Sequence, residues 1–130
     1  MARPELQRRL RAALEGLVAI AEEDDGALTV RHDGTLASLR VVSVADDLDL
    51  VSLSQILAWD IPVDRRIRAK IAEYARATML GTVALVEDKR VGEVLLRYNF
   101  PGNGLTDDAL RTLILMVLST GADVRRGLTG

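Results

Sequence analysis

Residue types that could do chemistry are sparse in this 130-residue chain, and their spacing suits chemistry poorly. His32 is the only histidine, and there is no cysteine. A metal at His32 would have to complete its shell with carboxylates alone. Beside Asp33-Gly34 it reads as a loop residue. Asp46, Asp47 and Asp49 crowd four positions and offer oxygen ligands to a hard cation. The glycine and the distal glutamate of a calcium loop are missing, so the cluster reads as a polar turn. Gly102-Asn103-Gly104 precedes a helix start, where free N–H groups attract phosphate. No lysine follows, and Asp107 and Asp108 would repel the anion. No Gly-x-Ser-x-Gly elbow occurs, and His32 is the only base available to a Ser–His pair. These residues assign no catalytic group, no cofactor and no metal, and the chain reads as non-enzymatic.

Charge and ring content narrow the partners. Arg65, Arg66, Arg68 and Lys70 form one basic cluster, and Arg8, Arg9 and Arg11 another. The net charge is nevertheless -2 and the pI about 5.4, so both read as solvated helix faces and not as a nucleic-acid footprint. Only 3% of residues are aromatic, so Trp59 and Tyr98 on strand faces stand out. They either fill the core or anchor a partner segment in an open apolar groove. The N-terminus, MARPELQRRLRAALEGL, lacks the apolar core of a signal peptide, and no run is apolar enough to span a membrane. The expectation is a cytoplasmic protein without membrane partners. Abundant Arg, Ala, Leu, Val and Gly, with few Lys and Asn, suggest a GC-rich bacterial source.

The elements that would position these residues follow from periodicity. Leu6, Leu10, Ala13, Leu14, Leu17 and Ala21 recur at helical steps and predict a helix over 4–21. Three strands follow: 27–31, 36–44 and 50–59. Asp33-Gly34 marks a hairpin between the first two. In the third strand, Val51, Leu53, Leu57 and Trp59 share one face, and polar Gln55 is the exception on it. Pro62 ends that strand and can open a helix carrying Val63, Ile67, Ile71, Tyr74 and Ala75, which Gly81 stops. A hairpin over 82–86 and 91–100 places Val94, Leu96, Tyr98 and Phe100 on one face.

The last helix is the most informative element. Thr106 is its N-cap, and Asp107 and Asp108 favour its positive end. Leu105 precedes the cap and Leu110 follows it by four, the spacing of a hydrophobic staple. Leu110, Leu113, Ile114, Val117, Leu118 and Val124 make one stripe. Leu115 and Met116 fall off that stripe, which predicts a helix that covers a core and also meets a second subunit or partner.

Asp60-Ile61-Pro62 leading into Arg65–Ala77, the phrases GTVALVED and EVLLRYNFP, and GLTDDALRTLILMVLSTGADV together resemble the YbjN-like bacterial proteins. The resemblance covers roughly residues 48–128, and the earlier part only through element order. Glu73-Tyr74-Ala75-Arg76-Ala77-Thr78 stands where members usually carry an Asn. The resemblance implies the fold of type III secretion chaperones, often homodimeric, with no family active-site residues to carry across.

The expectation is one α+β domain over 1–130, in the order α-β-β-β-α-β-β-α, with an antiparallel sheet packed against helices. Its expected role is that of a chaperone-like or regulatory protein-binding module, homodimeric, using Leu115 and Met116. The alternative is a small-molecule sensor or minor enzyme using a cleft near Trp59 and Tyr98.

Overall fold

The computed structural model describes residues 3–129 and is built on one six-stranded antiparallel sheet. Its elements are α1 (Arg3–Leu14), β1 (Ala19–Glu22), β2 (Leu28–His32), β3 (Thr35–Ala45) and β4 (Leu48–Pro62). These are followed by α2 (Arg65–Ala77), β5 (Thr82–Asp88), β6 (Val91–Pro101) and α3 (Asp107–Thr129). The strands lie in the order β1-β2-β3-β4-β6-β5. The α+β class and the succession of helix, strands, helix, hairpin, helix are as the sequence predicts.

One strand is added where the sequence suggested the end of the first helix. α1 stops at Leu14 because Gly16 adopts φ +81, a left-handed conformation that suits glycine and terminates a helix. Residues 19–22 then pair with β2, Ile20 opposite Val30. Leu17, counted in the helical stripe, is 54% exposed, and Ala21 lies on the new edge strand. The stripe that does hold is Leu6, Leu10, Ala13 and Leu14, all buried.

Strand alternation builds two unlike faces. Leu39, Leu53 and Tyr98 line up across β3, β4 and β6, as do Ala37, Gln55 and Leu96. The helices pack on this side, and their buried Ile67, Ile71, Leu110, Ile114 and Leu118 join Leu39, Leu53 and Leu96 in one core. The other side carries Thr29, Ser38, Ser54, Arg97 and Thr82 in one register row, with Ser52 and Asn99 beside it.

Local chemistry sets the turns and helix starts. Asp33-Gly34 makes a two-residue hairpin with φ +46 and +80 between His32 and Thr35. Lys89-Arg90 does the same between β5 and β6, with φ +50 and +74 and no glycine. α2 opens on Asp64, whose side chain accepts from the Ile67 N–H at 2.8 Å, so Val63 lies outside the helix. Thr78 closes it: its N–H and hydroxyl both donate to the Tyr74 carbonyl, three residues before Gly81. In α3 the Ala109 N–H donates to the Thr106 hydroxyl at 3.1 Å, the cap read from sequence.

The polar exception on β4 holds α3 in place. Gln55 is fully buried, and its amide nitrogen donates to the Thr35 hydroxyl at 2.8 Å and to the Leu118 carbonyl at 3.1 Å. Thr35 in turn donates to the His32 carbonyl at 2.6 Å. The Gln55 carbonyl oxygen lies against Gly121, where a β-carbon would come within 2.1 Å of it. Gly121→Ala is therefore expected to cost about 1–3 kcal/mol in urea unfolding, the scale of overpacking in a packed interior. Adding Gln55→Ala should return part of that loss, and strict additivity of the two changes would contradict the contact.

Candidate functional site

The residues with chemical potential do not converge. Asp46 and Asp47 are exposed in the turn between β3 and β4, whereas Asp49 turns inward and is only 3% exposed. Ser43 donates to the Asp49 carboxylate at 2.7 Å, and the Asp49 N–H donates to the side-chain oxygen of Asn103. The Gly102 N–H donates to the Asp49 carbonyl at 3.0 Å. The acidic turn and the Gly102-Asn103-Gly104 turn thus meet in space as a structural joint, which neither pattern announced alone. Among the described residues, no three His, Asp or Glu side chains assemble in a metal-holding arrangement.

Two further charged groups are likewise occupied. Asp25 beside α1 is held below the usual carboxylate range by the hydrogen bond from Arg40, helped by the Ala27 N–H. A carboxylate fixed as an anion in this way is unsuited to general-acid work near neutral pH. The basic cluster on α2 is occupied in part. Arg68 pairs with Glu87, and Lys70 donates to the Gly127 carbonyl at 2.9 Å. Arg9, from the N-terminal cluster, pairs with Asp107 at 2.7 Å and ties α1 to the start of α3.

Trp59 and Tyr98 lie apart, and no single recess among the described residues is lined by both. Tyr98 sits opposite Leu53 on the helix-covered side and stacks on Phe100, ring centroids 5.4 Å apart. Trp59 lies six residues farther along β4, about 20 Å at strand rise. The break in register between Ile56 and Ile61, with Asp60 at φ +54, carries Trp59 to the end of the strand. There it is 51% exposed in a recess of about 530 Å³ with His32, Gly34 and Leu36. The guanidinium of Arg125 lies over the Trp59 ring, 5.8 Å from its centroid, and donates to the Leu57 carbonyl at 2.7 Å. Tyr98 is a core residue in placement; Trp59 is not.

Leu115 and Met116 also differ from one another. Leu115 is half-buried and packs against the core edge, whereas Met116 is 53% exposed. Both line a shallow depression on the outer side of α3 with Thr112, Ser119 and Thr120. Met116, Thr120 and Asp123 also border a deeper groove of about 460 Å³ between α3 and the end of α2. Its walls are Tyr74, Ala77, Leu80 and Val124, and Met79 stands at its lip, 94% exposed. The helices meet closely below the groove because Gly127 leaves room for the Tyr74 ring: a β-carbon there would fall 1.6 Å from the phenol oxygen. Met79-Leu80 is an apolar pair in a loop between a helix cap and a glycine. That was the available sequence signal for the groove, and helical periodicity passes over it.

Comparison with known proteins bears on the fold. No family model matches the chain, and no curated protein matches it by sequence. Among solved structures, the chain is similar to YbjN from E. coli, described as a candidate transcription regulator. The TM-score is 0.60 with 15% identity, over 91% of this chain and 87% of that one. The fold is YbjN-like. Among the described residues, no helix is long and apolar enough to cross a membrane.

The Arg125 contact has a measurable consequence. Arg125→Met should make Trp59 more accessible to acrylamide quenching and lower stability by about 1–2 kcal/mol, from the lost ring contact and carbonyl bond. Unchanged quenching would show that Arg125 does not shield the ring.

Proposed function

We propose that this chain is a non-catalytic, polypeptide-binding module, regulatory or chaperone-like in role, that forms a homodimer through the groove between α2 and α3. The observation that carries the reading is the pair of exposed methionines, Met79 and Met116, at the lip of an apolar groove walled by Tyr74, Leu80 and Val124. An exposed methionine side chain is flexible and polarizable, so it adapts to the shape of a partner. Burying both on association would contribute about 1.5–3 kcal/mol each before ordering costs, enough to bias assembly without being the whole interface. The description of YbjN as a candidate regulator supports a regulatory role over an enzymatic one.

Met116 is the informative position and Leu115 is not. Leu115→Asp would place a charge against the core edge as well as on the surface, so lost association could not be separated from lost packing. Met116→Asp and Met79→Asp change exposed groups only. Light scattering at micromolar concentration should find the wild-type chain dimeric and both variants shifted towards monomer. Their circular dichroism and melting temperatures should stay close to wild type. A monomeric wild type, or variants that dimerise as well as it does, would overturn the homodimer.

A further inference from the structure

The recess at Trp59 is built from three separate elements, and its lining residues are distinct from those of the α2–α3 groove. The turn between β2 and β3 supplies Gly34, β4 supplies Trp59, and α3 supplies Arg125. Gly34 lets the Arg125 side chain through, since a β-carbon there would lie 2.8 Å from the guanidinium nitrogen Nε. Arg125 is fixed at its other end by the Leu57 carbonyl, so it backs one face of the Trp59 ring. The ring is thus held while half of its surface stays open, next to the half-buried Leu36. An exposed, immobilised indole is a stacking platform that loses little freedom when covered.

The charges around the platform select its occupant. Asp33 is the acidic group in the recess; Arg126, which also pairs with Asp123, lies 3.8 Å from its carboxylate, and the imidazole of His32, a countercharge only when protonated, lies 3.7 Å away. Arg31 lines the same recess, is exposed, and its side chain has no ion-pair or hydrogen-bond partner among the described residues. A free guanidinium beside an apolar ring complements a flat molecule with a negative group at its edge, because its donor fork matches carboxylate and phosphate alike. A volume of about 530 Å³ suits a ligand of one or two fused rings.

We propose that this recess binds a small planar aromatic anion, its ring stacked on the open face of Trp59 and its carboxylate or phosphate held by Arg31. Trp59 is the only tryptophan, so one indole N–H signal in the nuclear magnetic resonance spectrum of the isotope-labelled full chain reports on the site. Naphthoate and naphthyl phosphate are the probes, with uncharged naphthamide and non-aromatic cyclohexanecarboxylate as controls. At least one aromatic anion should shift the Trp59 indole signal and the Gly34 amide signal saturably, and the tighter of the two identifies the anionic group. Arg31→Gln should weaken that binding about tenfold, the scale of a lost charge-assisted contact. Both controls should fail to saturate.

The proposal is overturned if neither aromatic anion saturates, if Arg31→Gln binds as well as wild type, or if naphthamide binds equally. The same titration on Met116→Asp separates this site from the polypeptide groove. Undiminished binding there is expected, and loss of binding in that variant would overturn an independent site.

Discussion

Gln55 reaches from the middle of β4 to the Leu118 carbonyl on α3, and the setting of that helix on the sheet depends on the contact. A polar side chain at the centre of an apolar face is costly unless its hydrogen bonds are made inside the protein. Here the amide nitrogen donates to the helix backbone and to Thr35, while the carbonyl oxygen, against Gly121, is buried without a hydrogen-bond partner among the described residues. The bonds have direction where the surrounding leucines have none, so they select one rotation and one height for α3. Gly121 completes the arrangement, because any side chain there would push the helix off the amide. Hydrophobic burial supplies most of the attraction between helix and sheet, and this amide decides where along the sheet it acts.

The rotation so fixed explains why α3 has two useful sides. With Leu118 and Gly121 against the sheet, Ile114, Val117 and Val124 enter the core and Met116 is left outside. The same setting brings Gly127 under Tyr74 and Lys70, which closes the floor of the α2–α3 groove. Near its C-terminal end, it delivers Arg125 to the back of Trp59. The groove and the recess are therefore two products of one helix placement, on different elements and with different chemistry: thioether and aliphatic surface at one, indole and guanidinium at the other.

Much of this was legible in the residues. The cap and the buried stripe of α3 followed from Thr106, Leu110, Ile114 and Leu118, because a helix end and a helical period are local signals. The Asp33-Gly34 hairpin was legible for the same reason. The failures were non-local. Leu17 and Ala21 continue the period of α1 on paper, but the left-handed Gly16 and pairing with β2 decide against it. Gln55 was visible as an exception, whereas its partner Leu118 lies 63 residues away and contributes only a backbone carbonyl. Trp59 and Tyr98 share the predicted strand-face character, and it takes the bulged register of β4 to send one to the surface and leave the other stacked on Phe100. Asp49 looked like its exposed neighbours until Asn103 met it from a turn 54 residues away.

The sheet face without helices carries a further consequence. Its row of Thr29, Ser38, Ser54, Arg97 and Thr82 presents hydroxyls and a cation where a sandwich would present valines. The next row on that face, Leu36, Ile56, Leu95 and Ala84, is apolar, so a second sheet laid there would gain along one row what it loses by drying the other. The molecule is lopsided. One flank lies under helices, and the other is striped, wet along one row and apolar along the next.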